Sequence, residues 1–529
     1  MVISVLDCTL RDGGYINQWQ FGNKNISYIL KNLVDAEVDI IECGYITAKT
    51  DYVDGSSQYD SVDRISQFIP ANRKKSMFVG MINYNEYTLE NLPICDNSSV
   101  DGIRVTFHKK DMQKALKYCD EISKKGYKVF VQPMVSVSYS DDEFLELIRG
   151  INLLNPYAVY LVDSFGVMKR KDLLRLFYLI DHNLSSDIKV GYHSHNNLQL
   201  AYSNAQSLVD LKIKRDLIID SSVFGMGRGA GNLNTELFIE YLNENNDSQY
   251  KQKPILQIID EVLNNIYLTN YWGYSLPHYI SATHNCHPNY ASYLAEKNTL
   301  TIEDISNILE NISLEKKNGF DKDYMDSLYK TYQSIQENTI ESIIELEKAF
   351  RDKNIVIIAS GSSINKNTAE IKHETEKNNT VTIAINFIPD HITPDYIFVG
   401  NLRRFKEVYG KTQAKIIVTS NIHVPTNNVK IVRYIDLIND EEAVSDNSGL
   451  MFIKLMILLK ANKVSLAGFD GYSYDSLSNY SVEDLAFIKS NETVDLLNGG
   501  IHKVIKEFSK QIPVQFITKS KYELEEVGK

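Results

Sequence analysis

Between residues 3 and 226 the chain repeats one pattern: a short run rich in Val, Ile and Leu, then a longer polar stretch with apolar positions at helical spacing. The runs fall at residues 3–10, 38–45, 76–83, 101–107, 128–136, 158–164, 189–195 and 217–226. Short apolar runs alternating with amphipathic helices read as parallel strands joined by helical crossovers. Eight of them is the strand count of a TIM (β/α)8 barrel, whose active sites lie at the carboxyl ends of the strands. Periodicity by itself leaves a doubly wound sheet open.

The pattern then changes. Residues from about 255 to 350 read as helices, with a Lys/Glu/Asn-rich stretch over 311–324. A second α/β unit opens at residues 354–360, followed by strand candidates at 380–386, 395–400, 415–420, 429–434, 463–468 and 514–519 and a helix over about 448–461. This alternation predicts a Rossmann-like three-layer α/β domain. The expected division is a barrel over 1–290, a helical connector over 291–350 and the Rossmann-like domain over 351–529. No internal repeat or long low-complexity tract interrupts it.

Composition fits several soluble domains. A length of 529 residues favours about two to four of them, and 43% hydrophobic residues supply sizeable cores. A net charge of -12 with no basic block argues against a nucleic-acid or anionic-membrane surface. The five cysteines, Cys8, Cys43, Cys95, Cys119 and Cys286, show no C-x-x-C spacing. A reduced, cytoplasmic protein is the expectation. No basic segment followed by an apolar run opens the chain, and no apolar stretch reaches membrane-spanning length, so neither export nor insertion is expected.

Chemistry concentrates at strand ends. Leu6-Asp7-Cys8-Thr9-Leu10-Arg11-Asp12-Gly13-Gly14 brings an adjacent Arg and Asp to a glycine turn, and Gly191-Tyr192-His193-Ser194-His195 brings two imidazoles to the end of another strand. Alternate strand residues share a face, so His193 and His195 project together, and a carboxylate from another strand can complete a metal site. An H-x-H triplet alone is weak, arising by chance in about one such chain in four.

With Gly225-Met226-Gly227-Arg228-Gly229-Ala230-Gly231-Asn232 following in order, the chain resembles the DRE-TIM metallolyase superfamily over roughly residues 1–290. That superfamily holds 3-hydroxy-3-methylglutaryl-CoA lyase, 4-hydroxy-2-oxovalerate aldolase and the isopropylmalate and homocitrate synthases. The resemblance implies that Asp12, His193 and His195 ligate a divalent metal, with Asn232 at or near it, and that Arg11 stabilises an enolate. The mixed oxygen and nitrogen set suits Mn2+ or Mg2+, with Zn2+ and Co2+ as alternatives. Each role has a plainer rival: Asp12 as a helix cap, Arg11 as a salt-bridge partner, the histidines as polar strand ends, Asn232 as a turn residue. Glu42, Arg104, Asp163 and Ser164 are further family-like positions expected to line the pocket or support it. For Glu42 and Arg104, buried ion pairing weighs equally with substrate contact.

Departures from the family sort the reaction. The acetyl-CoA-dependent synthases usually carry Glu-Gln where Gly14 and Tyr15 follow Gly13 here, and the glycine-rich loop lacks the cysteine of the CoA lyases. The loop is closest to that of 4-hydroxy-2-oxovalerate aldolase. Those aldolases have a catalytic histidine at the position of Tyr15, which leaves Tyr15, His287 and Tyr290 as candidate proton carriers, Tyr139 also being in reach. A helix-capping His-Pro turn is the rival reading for His287.

In the second α/β unit, the turn Gly361-Ser362-Ser363 after a strand can cradle an anion, and Asp470 follows another strand end. Together with Ser448-Gly449-Leu450 this resembles Rossmann-like domains near bacterial sialyltransferases and surface-glycan proteins, with a purely structural or oligomerising domain as the rival reading. The leading expectation is a metal-dependent aldolase joining or cleaving a 2-oxo acid, pyruvate with an aldehyde, with a phosphorylated or nucleotide-linked sugar at the second domain, working as a homo-oligomer. A CoA-dependent lyase or synthase of the same superfamily, or a non-catalytic barrel scaffold for the second domain, are the alternatives.

Overall fold

The eight runs form strands β1 (Ile3–Asp7), β2 (Ile40–Ile46), β3 (Met77–Asn83), β4 (Gly102–Phe107), β5 (Lys128–Pro133), β6 (Ala158–Asp163), β7 (Lys189–Ser194) and β8 (Leu217–Ser221) in a computed structural model. It describes residues 2–297, 299–333, 339–422, 429–475, 479–481 and 491–523. Each strand pairs in parallel with its neighbour in sequence, and β8 returns to β1, with Ile3 opposite Leu217 and Asp7 opposite Ser221. The sheet therefore closes into the expected (β/α)8 barrel, and the doubly wound alternative falls away for this part of the chain.

Alternation along each strand sorts the core. Leu6, Ile40, Val79, Phe130, Tyr160 and Ile218 meet inside the barrel. Val5, Ile41, Ile103, Val129, Leu161 and Ile219 face outward, under helices such as Asn23–Asp35 and Asp141–Leu154. Both faces are buried, which is why the strands read as near-continuous apolar runs.

The strands stop earlier than their runs. Residues 8–10 and 222–226 lie beyond β1 and β8, so Arg11 and Asp12 stand on a helical turn, Thr9–Asp12, rather than at the end of the strand itself. The carboxylate of Asp7 causes this, because it accepts from Thr9 N at 3.0 Å and the Asp12 amide then bonds back to the Cys8 carbonyl at 2.8 Å. At β2 the register slips between Glu42 and Tyr45, a bulge that bends the strand just after Glu42.

Packing divides the chain into two units, Met1–Tyr293 with Ile312–Phe320, and Leu294–Asn311 with Asp321–Lys529. In the second, strands β9 (Asn354–Ile358), β10 (Thr380–Ile385), β11 (Tyr396–Val399), β12 (Lys415–Thr419), β13 (Val429–Val432), β14 (Lys463–Ala467) and β15 (Val514–Phe516) form a parallel sheet in the order β13-β12-β11-β10-β9-β14-β15. Ile355 and Ile357 pack on one face with helices Ile340–Phe350, Ser448–Leu458 and Asn491–Phe508. Val356 and Ile358 pack on the other with Thr368–Thr375 and Leu402–Val408. This is the three-layer arrangement expected, and strand order reverses between β9 and β14, where such sheets open a crevice. Among the described residues no helix is long and apolar enough to cross a membrane.

Candidate metal centre

At the carboxyl end of the barrel, ligand atoms of Asp12, His193 and His195 all lie within 4.8 Å of one another, and each side chain is buried. His193 stands on β7 and His195 one residue past it, where it bridges Asn232 of the glycine-rich loop. Asn232 Nδ2 donates to Asp12 Oδ2 at 2.6 Å. Three segments distant in sequence thus converge on one carboxylate.

The ligand atoms are prepared for a cation. Nδ1 of His195 lies 3.8 Å from Asp12 Oδ2, and neither it nor Asn232 Oδ1 has a hydrogen-bond partner, although both are buried. An unpaired buried acceptor is costly, and a cation held between these atoms would satisfy both. Burial pushes the His195 imidazole down to about 3, so it is neutral and offers a lone pair at physiological pH. Burial alone would raise the Asp12 carboxyl, but Arg11, His195, His193 and Arg228 together hold it well below the usual carboxylate range. These donors fit a divalent cation, two imidazoles with carboxylate and amide oxygen.

Behind the ligands runs a buried chain of alternating charge. Arg11 pairs with Asp12 through NH1 and with Glu42 Oε2 through Nε at 2.8 Å. Arg104 NH1 lies 2.9 Å from the same Glu42 oxygen, and its NH2 pairs with Asp220. Asp220 Oδ2 in turn meets His193 Nδ1 at 2.9 Å. A carboxylate at Nδ1 fixes the proton there and leaves Nε2 free as the ligand. The structure therefore places Glu42 and Arg104 in ion pairing within the barrel; both belong to the support of the site.

Asp163 and Ser164, expected at the pocket wall, are engaged with backbone. The Asp163 carboxylate accepts from Val167 N at 2.9 Å and Met168 N at 3.0 Å, and burial raises it to about 7. Ser164 Oγ accepts from Val135 N at 3.0 Å. Tyr290, expected as a proton carrier, is fully buried and donates its hydroxyl to the carbonyls of Lys316 and Gly319 at 3.0 and 2.7 Å, so that its proton is engaged with backbone. His287 accepts at Nδ1 from Asn289 N at 3.2 Å, as a helix-capping His-Pro turn would, and packs on Phe165 and Phe320. Burial, with Arg228, pushes it down to about 3. It is neutral, with Nδ1 already engaged, so its available role is donation from Nε2. Tyr139 lies in the outer core beside Phe144. Tyr15 is 45% exposed at the rim, against Trp19, and desolvation raises its phenol despite Arg228 and Arg11. A raised phenol is an acid at neutral pH, not a base.

Three contributors carried weak sequence signals. Asp220 is a carboxylate that directly follows Leu217-Ile218-Ile219 at the end of β8. Asn197 fastens the glycine-rich loop, accepting from Ala230 N at 2.8 Å while donating to Phe165 O at 2.9 Å. Arg228, the one charged residue in that loop, stacks on the Tyr15 ring at 5.6 Å. In the second unit, Ser363 donates both its backbone N–H, at 2.8 Å, and its hydroxyl to Asp470, and a side chain on Gly361 would strike that carboxylate. The structure does bring Gly361, Ser362, Ser363 and Asp470 together at the β9/β14 reversal, but the protein's own acid takes the Ser363 donors.

Comparison with known proteins decides the family. Residues 2–262 match the HMGL-like family model. The barrel is an HMGL-like domain, within the DRE-TIM superfamily that the motifs resemble. Similar proteins include a 4-hydroxy-2-oxovalerate aldolase of Marinomonas sp., 26% identical over 241 residues that span 45% of this chain and 69% of the relative. An oxaloacetate decarboxylase of Mycobacterium tuberculosis is 24% identical over the same shares. Among solved structures, the N-terminal domain of a provisional aldolase from Bacteroides vulgatus superposes with a TM-score of 0.50 at 26% identity, covering 55% of this chain and 96% of that one. The barrel is a lyase-type enzyme domain.

Two tests follow from the geometry. A Cβ on Gly227 would sit 2.3 Å from Asn232 Nδ2 and 2.6 Å from Asp12 Oδ2. Gly227→Ala should therefore lower divalent-metal affinity on the order of tenfold to a hundredfold with the fold retained, as disturbed ligand support does; titration calorimetry with Mn2+ alongside circular dichroism checks this, and unchanged affinity refutes it. The second uses His287. A histidine held neutral in the fold takes up its proton less readily than in the unfolded chain, so it removes stability as pH falls from about 6.5 toward 3. Denaturant unfolding across that window should show a shallower acid loss in His287→Gln than in wild type, and parallel curves would contradict the assignment.

Proposed function

We propose that the barrel is a divalent-metal-dependent aldolase that joins or cleaves a 2-oxo acid, pyruvate with an aldehyde. The observation that carries this reading is the buried Asp12, His193 and His195 cluster with Arg11 bonded to Asp12. A metal held there would supply Lewis acidity toward the carboxylate and oxo oxygens of the acid. Arg11 keeps NH2 buried and unpartnered while Nε and NH1 are engaged, so one donor remains for charge developing on the oxo oxygen. Glu42 and Arg104 hold that guanidinium in place. Tyr15 at the rim, kept protonated, donates to the oxygen of the aldehyde partner. Mn2+ or Mg2+ suits the donor set best, and five free thiols suit a reduced cytoplasmic setting.

For the second unit we infer a phosphorylated or nucleotide-linked sugar as ligand, supported by the reversal of strand order between β9 and β14. A sugar-building role for the whole chain would follow from it.

The deciding experiment is exchange of the pyruvate methyl protons with solvent, followed by NMR with Mn2+ and after chelation. Metal-dependent exchange in wild type, reduced on the order of a hundredfold or more in Arg11→Lys with metal still bound, is the expected result. No exchange in the metal-loaded protein would overturn the reading, and a near wild-type rate in Arg11→Lys would make Arg11 structural.

A further inference from the structure

Arg228 is left over when the charges of the site are matched. The inner chain holds three carboxylates, Asp12, Glu42 and Asp220, against two guanidiniums, Arg11 and Arg104. It thus carries one excess negative charge, which a divalent cation would invert and the carboxylate of a bound 2-oxo acid would cancel. Arg228 remains outside this balance. Among the described residues no carboxylate pairs with it; NH2 donates to the Ser164 carbonyl at 3.0 Å, and Nε is buried without a partner.

Its position says which part of a substrate it would meet. Arg11 and Asp12 are 5% and 1% exposed, whereas Arg228 is partly exposed and stacks on Tyr15 at the rim. It acts electrostatically on Asp12, His195, Tyr15 and His287, which come from three different segments around the mouth. On the aldolase reading above, an oxo acid chelated at the triad would react on the side of Tyr15, which donates to the aldehyde oxygen. Whatever the aldehyde carries beyond its carbonyl then extends outward, past Arg228. A guanidinium there, with an unpaired donor and no internal counter-charge, matches an oxyanion.

We propose that Arg228 determines specificity by receiving an anionic group, a phosphate or carboxylate, on the distal end of the aldehyde partner, so that the acceptor is an anionic aldehyde rather than a neutral one. This rests on the aldolase reading above for the word aldehyde, while the anion site itself does not.

The test compares wild type, Arg228→Gln and Arg228→Lys. With pyruvate and Mn2+, kcat/KM is measured for glyceraldehyde 3-phosphate, succinic semialdehyde and glyceraldehyde; separately, calorimetry follows binding of glycerol 3-phosphate, 4-hydroxybutyrate, glycerol and oxalate. Wild type should favour one anionic acceptor over glyceraldehyde, and the better of the phosphate and carboxylate arms names the group. Arg228→Gln should lower that preference about tenfold to a hundredfold and weaken the matching anionic probe similarly, with Arg228→Lys keeping most of both. Equal losses for anionic and neutral acceptors, a wild type without preference, or oxalate weakened as much as the anionic probe would overturn the proposal. If wild type fails to exchange pyruvate protons yet the binding difference between wild type and Arg228→Gln holds, the aldolase reading falls and the anion site stands.

Discussion

One buried chain of charge, from Asp12 through Arg11, Glu42, Arg104 and Asp220 to His193, fixes the rest of the site. Charges taken out of water are tolerated only when paired and hydrogen-bonded, and removing one partner of a buried pair costs roughly 3–5 kcal/mol. Each member therefore holds its neighbour in one place. The chain begins at one proposed metal ligand and ends at another, so the constraint that neutralises the barrel interior also sets where two ligands point. His195, just past β7, and Asn232 of the glycine-rich loop complete the set, joined by the backbone bridge between them.

The same logic explains the loops. Asp7 and Thr9 of the signature do not reach the pocket; Asp7 accepts from Thr235 Oγ1 at 2.7 Å and Thr9 Oγ1 accepts from Val223 N at 2.8 Å, which ties the first loop to the last. Burial raises the Asp7 carboxyl to about 6. Gly227 then lets the glycine-rich backbone approach Asp12 and Asn232 more closely than any side chain would allow.

Much of this was legible in the sequence. Eight apolar runs gave the strand count, and alternation along β7 put His193 and His195 on one side. Strands β1, β5 and β8 end before their apolar runs do, and at β1 a side-chain cap, Asp7, ends the strand without any Gly or Pro to announce it. The ion chain was not readable: Glu42, Arg104 and Asp220 lie on separate strands, and closure of the barrel, which no local pattern encodes, brings them together. The engagement of Tyr290 with Lys316 and Gly319 arises equally from tertiary packing. In the second unit the parallel strands and both apolar faces were apparent from β-branched runs, whereas the closing of Asp470 on Ser363 depends on the reversal of strand order.

The central claim, that the ion chain orients the metal ligands, is tested most directly at its far end, on a residue that touches His193 but no proposed substrate atom. Mn2+ affinity of Asp220→Asn, measured by electron paramagnetic resonance titration on folded protein, should fall about tenfold to a hundredfold relative to wild type, because His193 loses the carboxylate that fixes its tautomer and ring orientation. An Asp220→Asn protein that binds Mn2+ as tightly as wild type would contradict the account.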